Sequence, residues 1–408
     1  MRVLSFSVCL MAFLLTACEK DNVQQPRDTI PVDDVLTVSR MSSDFGWDLF
    51  HEVSRGVTEE NVLISPLSVQ TALSMALNGA DGETLTEMLS VLGCSGCDVS
   101  DLNTQTAKLR ELMEEQSGHP TLTSANGYFY DPARIHVLDG FIKTLTDSYK
   151  AGFQEYDFDD PATVDKINGW VKDNTNGKID GIIDGIGGLD LAFLINALHF
   201  KADWATAFHP DATHQRKFIT GAGGEISVDF VNADRNFSTA EQANFRLVDI
   251  PFKDSTYSLS FIQPTGAVAS QPDWVLQMSA DELKDMWTHL SYGRAIVRFP
   301  KLDLAFDAGL IPALRNLGIE KAFSDFSADF SNMGHALIGP VIYISNVRHK
   351  AVLKVDERGA EGAAVTSVTF STTSQPPTFT FDHPFIAVLR HTATNAILFA
   401  GLVNDPDQ

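Results

Sequence analysis

Cys94 and Cys97 stand three residues apart in LGCSGCD. Two thiols at that spacing can close a small disulfide loop, supply half of a zinc site, or run thiol–disulfide exchange. A zinc site needs a second pair of ligands at suitable spacing, and none stands out. Nothing around the pair supports a redox site. In an exported chain the small disulfide is the expectation. HEVSR (51–55) begins like a zinc-protease helix but carries Arg55 where the second histidine is required. GIGGLD (185–190) lacks the third glycine of a dinucleotide fingerprint, and neither a G-x-S-x-G nor a Walker loop occurs. A Ser-His-Asp triad assembles in space rather than in sequence, but no spacing among the 11 histidines supports one. The residue types point away from catalysis, so neither an enzyme nor a cofactor is expected.

Cys18 is the third thiol with a chemical reading. MRVLSFSVCLMAFLLTAC has one Arg and an apolar run too short for a membrane span, which needs roughly 20 residues. Residues 1–17 therefore read as a signal peptide. LTAC resembles the bacterial lipobox, whose Cys is acylated after cleavage; an ordinary secretory leader with an incidental Cys is the alternative. Acyl chains on Cys18 would anchor the protein to a bacterial membrane, with the outer membrane or cell surface as the expected address. Residues 18–39 read as a polar tether, with a reach on the order of 25 Å if flexible. The formal charge is −23, from 53 acids against 30 bases. Such a surface repels phosphate backbones, so no nucleic-acid partner is expected.

Any site must rest on the elements between. Helical periodicity is clear at 43–54, 66–80 and 82–93, with Ser65 as N-cap and Pro66 at the first position of the second. Further helices are expected at 101–116, 139–150, 161–175, 280–289 and 306–317. Strands are expected at 191–200, 225–233, 246–252, 256–263, 294–299, 340–346, 350–355, 379–390 and 396–402. Helices dominate the first half and strands the second, which favours α+β with large, mainly antiparallel sheets. No Gly/Ser- or Pro-rich linker follows residue 40, and one large domain over 40–408 is expected.

One stretch contradicts itself. RGAEGAAVTSVTFSTTSQPPTFTFDHPF (358–385) alternates small or apolar residues with polar ones, as a half-buried strand does. Ala360, Gly362, Ala364, Thr366, Val368, Phe370 and Thr372 share one face. Glu361, Ala363, Val365, Ser367, Thr369, Ser371 and Thr373 take the other. Yet GAEGAA is a poor β-former, and QPP closes the stretch like an exposed loop. The sequence describes a spare strand kept outside a sheet.

With its flanks, this stretch resembles the serpins. NVLISPLSVQTALSMALNGADGETLTEML (61–89), INGWVKDNTNGKI (167–179) and LINALHFKADWATAF (194–208) match family segments. So do FPKLDL (299–304), LRNLGIEKAFSDFSADFS (314–331), ISNVRHKAVLKVDERGAEGAA (344–364), DHPFIAVLR and ILFAGLVNDP. The resemblance implies about eight or nine helices on three mainly antiparallel sheets, with a reactive-centre loop over about 357–382. It implies a monomeric, single-use inhibitor: a target serine or cysteine protease cuts the loop, and the loop inserts into the central sheet before the acyl-enzyme hydrolyses. The hinge is Glu357 with Gly359, Ala360, Glu361, Gly362, Ala363, Ala364, Val365 and Thr366. Counting from Gly359, and back from Pro384, places the cut between Thr373 and Ser374. Ser65, Ser68, Asn196 and His349 match the polar cluster under the sheet's opening. Trp204, Lys301 and Glu357 match positions at its upper end. Non-inhibitory members, which bind ligands or act as chaperones, often have bulky or charged hinges; small residues here favour inhibition. A hydrolase with an unrecognised triad would instead show intrinsic turnover.

Overall fold

The computed structural model describes residues 31–114, 121–360 and 376–408. Within them the α-helices are α1 (Leu36–Ser54), α2 (Pro66–Leu77), α3 (Gly82–Val91), α4 (Val99–Glu114), α5 (Asp139–Tyr149), α6 (Thr163–Asn174), α7 (Ala280–Thr288) and α8 (Ile311–Leu317). The strands of the first half are β1 (Val62–Ile64), β2 (Thr121–Tyr130), β3 (Ile135–Val137), β4 (Gly152–Glu155) and β5 (Ala192–Asp203). Then come β6 (His214–Ile219), β7 (Glu225–Glu241), β8 (Phe245–Pro251), β9 (Tyr257–Pro264), β10 (Ser291–Pro300) and β11 (Leu302–Gly309). The last are β12 (Gly334–Ala336), β13 (Arg348–Val355), β14 (Gly359–Ala360), β15 (Thr378–Thr380), β16 (Phe385–His391) and β17 (Ile397–Val403).

Local chemistry explains several boundaries. Ser65 caps α2 by accepting the Ser68 N–H, and Pro66 follows at the first helical position, where its missing donor costs nothing. Ser279 and Glu282 close a reciprocal capping box on α7. The nine strands of the largest sheet run β1-β17-β16-β9-β8-β7-β10-β15, with β6 also on β7. β16 and β17 are buried along their whole length, and α1 and α2 pack against β17. α2 also packs on β5, so it lies between the largest sheet and the second one.

That second sheet is in two pieces. β4-β2-β5-β14 form one and β11-β13 the other. Among the described residues no ladder joins β5 to β13.

Four expectations need correction. The single strand expected over 379–390 is two, β15 on β10 and β16 on β9, parted over 381–384 where Pro384 lacks a donor for a ladder. Residues 31–39, expected as the end of a polar tether, are folded. α1 starts at Leu36, because Val35 and Val38 continue its apolar stripe into the core and both are buried. Thr37 N–H donates to Gln105 Oε1 (3.1 Å), and Lys108 pairs with Asp34 (2.7 Å). The helix expected over 306–317 begins only at Ile311. Leu302 and Leu304 are buried while Asp303 and Ala305 are exposed, and this period of two carries the chain as β11 to Gly309. The strand expected over 340–346 has no ladder; its Ile344 N–H donates to Ala322 O (2.8 Å) instead.

Candidate functional site

The stretch expected as the hinge begins inside the second sheet. Gly359 and Ala360 pair antiparallel with Asp203 and Ala202, at the end of β5 beside the gap. Ala360 is 2% exposed. Gly359 has φ +142°, and a Cβ there would lie 2.2 Å from Ala202 O, so this approach to β5 requires glycine.

A turn leads the chain from β13 into β14. Asp356 N–H donates to Gly359 O (3.2 Å) and Arg358 N–H to Asp356 Oδ1 (2.7 Å). Trp204 holds the turn from the side: its N–H donates to Arg358 O (2.8 Å) and its Nε1 to Asp356 O (2.9 Å). Its ring stacks on Phe252 at 4.4 Å and 8°. Phe208 N–H donates to Glu357 O (2.8 Å).

Glu357 is fixed by its side chain too. Its Oε1 accepts from Thr213 Oγ1 (2.6 Å) and lies 2.9 Å from Lys301 Nζ. Burial alone would raise this carboxyl, but those two hydrogen bonds outweigh it and hold the pKa below the usual range. Lys301 is raised by the same hydrogen bond. The lysine remains 38% exposed, so solvent screening keeps the pair to about 1 kcal/mol.

Lower in the gap lies the polar cluster. Ser65 N–H donates to His349 Nε2 (3.0 Å), joining the start of α2 to β13. Ser68 Oγ donates to Asn196 O (3.5 Å), joining α2 to β5. Asn196 Nδ2 donates to Asn126 Oδ1 (2.6 Å) and Ser124 Oγ (3.1 Å) on β2. All four expected residues therefore sit around α2, on elements from both sides of the gap. Asn126 and Ser124 belong with them and were not foreseen, since β2 itself was not. Asn196 Oδ1 is buried without a hydrogen-bond partner among the described residues. A cavity of about 160 Å³ opens beside this cluster, walled by Ile183, Phe193, Ile195, Ile344 and Val347. A second, of about 220 Å³, lies near Ala360, His199 and Leu353.

His349 gives the site a pH dependence. Burial lowers its pKa to about 4, against a smaller upward pull from Asp307. Its Nε2 accepts from Ser65, so protonation would set two N–H groups against each other. Below the ordinary value of 6.5 the unfolded chain binds a proton that the folded one refuses until about pH 4. This contribution is therefore complete above pH 6.5 and is lost as pH falls toward 4, by up to about 3 kcal/mol. His349→Gln should flatten the stability curve across that window by about 1.4 kcal/mol per pH unit. His51 and His391, also lowered to about 4, add slope of the same sign. An unchanged slope in urea melts would contradict this assignment.

Cys94 and Cys97 are joined as a disulfide, with Cα atoms 5.4 Å apart. Cys18, Glu361, Gly362, Ala363, Ala364, Val365, Thr366, Thr373 and Ser374 lie outside the described residues.

Residues 40–406 match the family model described as Serpin (serine protease inhibitor). Iripin-1 of Ixodes ricinus is 32% identical over 407 residues, spanning 97% of this chain and 98% of that protein. Glia-derived nexin of Rattus norvegicus is 27% identical over 380 residues, 91% of this chain and 94% of its own. The crystal structure of the thermophilic serpin tengpin in its native state is similar at a TM-score of 0.82 and 32% identity, covering 90% of this chain and 94% of that one. A second sheet left in two pieces, a glycine-led strand, β14, at one end of the gap and a match over nearly the whole length lead to one conclusion: this chain belongs to the serpin family.

Proposed function

We propose that this protein is a single-use protease inhibitor whose cut loop enters the gap between β5 and β13 as a new strand. The observation that carries the reading is the pairing of Gly359 and Ala360 with β5. Continuing that register residue by residue sets Glu361 opposite Lys201, Thr366 opposite Asn196 and Phe370 opposite Ala192. Phe370 thus meets the first residue of β5. The small and apolar face of the loop falls on the side of Ala202, Phe200, Leu198 and Asn196. Thr366 arrives beside the buried Asn196 Oδ1 that has no hydrogen-bond partner among the described residues. Residues 360–372 would span roughly 40 Å as a strand, and strand addition to an open edge is an established mode of recognition.

The target reads Thr373 and Ser374, which suit a small or shallow pocket of the elastase or subtilisin kind. No Lys or Arg lies between Gly359 and Phe381. A trypsin-like pocket would keep its buried acid unpaired. The test is incubation with a protease panel. Elastase-like or subtilisin-like enzymes should form denaturation-resistant complexes and release a peptide starting at Ser374. Strong inhibition of trypsin with Thr373–Ser374 uncut would overturn the assignment.

The address belongs to the same proposal: export, removal of residues 1–17, and acylation of Cys18 as a membrane anchor. Full-length protein should partition with membranes, and Cys18→Ala should release it or leave it unprocessed. Soluble wild-type protein with an unmodified N-terminus beyond Cys18 would refute the anchor.

A further inference from the structure

We propose that His136 and His335 form a surface site for a divalent cation of borderline softness: Zn²⁺, Cu²⁺ or Ni²⁺. The two are register partners across β3 and β12, a small antiparallel sheet apart from the gap. Their rings face each other at 6.5 Å between centroids and 12° between planes. Both residues are exposed.

Directly opposite residues on antiparallel strands place their Cβ atoms about 5 Å apart, which suits two imidazoles closing on one ion. Metal–nitrogen bonds of about 2.0–2.1 Å put each ring centroid about 3 Å from the ion, and a tetrahedral angle then separates the centroids by about 5 Å. The centroids must therefore close by little more than an ångström, and both rings must turn out of their stacked, near-parallel planes so that one nitrogen of each points at the ion. Rotation of two exposed side chains supplies that without backbone movement.

The scaffold beneath is firm. A Cβ on Gly334 would lie 2.2 Å from His136 O, so glycine permits the close approach of the strands. Leu138 N–H donates to Met333 O (3.0 Å) just beyond the pair. Ile135 and Met333, buried on these segments, line the cavity beside the polar cluster, so a bound ion would brace that wall.

Among the described residues, no group of three or more His, Cys, Asp or Glu is placed to hold a metal. The chain would thus supply two nitrogens, and water would complete the shell. Asp139 and Asn332 line the pocket onto which His136 opens, and their oxygens can accept hydrogen bonds from such waters. Imidazole selects Zn²⁺, Cu²⁺ and Ni²⁺, whereas Mg²⁺ and Ca²⁺ prefer oxygen. This separates a built site from the general pull of a −23 surface on any cation.

The test is titration of tag-free protein with Zn²⁺ and with Cu²⁺, read by calorimetry and thermal shift. One equivalent should bind, more tightly for Cu²⁺ than Zn²⁺, raising Tm in a manner reversed by EDTA. His136→Ala and His335→Ala should each weaken binding at least about tenfold, since a single imidazole remains. His289→Ala removes another exposed histidine beside a carboxylate (Asp285, 3.2 Å) and should bind as wild type. Both ligand histidines are exposed, so their loss should not impair folding. Absence of saturable binding at one equivalent, retention of binding in both single variants, or equal stabilisation by Mg²⁺ would each overturn the site.

Discussion

Ala360→Arg is expected to turn the inhibitor into a substrate. Ala360 sits at the head of the gap, 2% exposed and opposite Ala202. Its side chain is already buried there, and on the proposed mechanism the new strand must extend from this residue. An arginine there either stays out, which blocks the first step of insertion, or goes in with its charge unpaired, at a cost of several kcal/mol. Only the two-residue pairing of β14 is lost in the uncut protein, so its fold should survive. The protease should still cut at Thr373–Ser374 and leave active, with complex yield down by at least about tenfold. That magnitude needs only about 1.4 kcal/mol on the insertion step relative to deacylation. Trapping as efficient as in wild type would mean that insertion from Ala360 is not the mechanism.

Cutting the loop should also make the protein much more stable. The gap between β5 and β13 leaves two strand edges without a ladder between them. A strand running from Ala360 to Phe370 would fill both. About twenty new backbone hydrogen bonds at about 1 kcal/mol each, with burial of Val368 and Phe370, outweigh the ordering of about ten residues at about 1–1.5 kcal/mol each and leave a net gain on the order of 10 kcal/mol. At one to two degrees per kcal/mol in a chain this long, Tm should rise by on the order of 20 °C. Cut Ala360→Arg should gain much less. A calorimetric scan showing no rise in the cut wild type would leave the gap without a strand to receive.

Much of this was legible from local signals. Ser65-Pro66 marks the start of α2 because capping chemistry acts within one turn. The alternation in 358–373 reads as a strand because its two faces differ in size and polarity, and of that stretch only 358–360 are described, with Gly359–Ala360 as β14. The elements that were missed depend on partners distant in sequence. β2 (TLTSANGYFY) is rich in Ser, Ala, Asn and Gly, and becomes a strand because β4 and β5 pair with both of its edges. With it went Asn126 and Ser124, which take both hydrogen bonds donated by the Asn196 side chain. LDLAFDAG alternates clearly, but its apolar residues run on into α8, and the helical period was extended backward across Gly309. Lys301 and Glu357 are 56 positions apart, and no local pattern joins them. Family resemblance placed them at one end of the sheet, and the structure brings them to 2.9 Å.

The central claim, that the cut loop becomes a strand between β5 and β13, is tested most directly by amide hydrogen exchange before and after loop cleavage. The amides to watch are those of Ala192–Asp203 and Arg348–Val355 that face the gap. In the uncut protein they should exchange readily below Ala202, because no ladder covers them. After cleavage at Thr373–Ser374 they should slow on both strands together, by on the order of 100-fold or more, down to Ala192. Exchange at these amides that is unchanged by cleavage, while the loop is fully cut, would contradict the account.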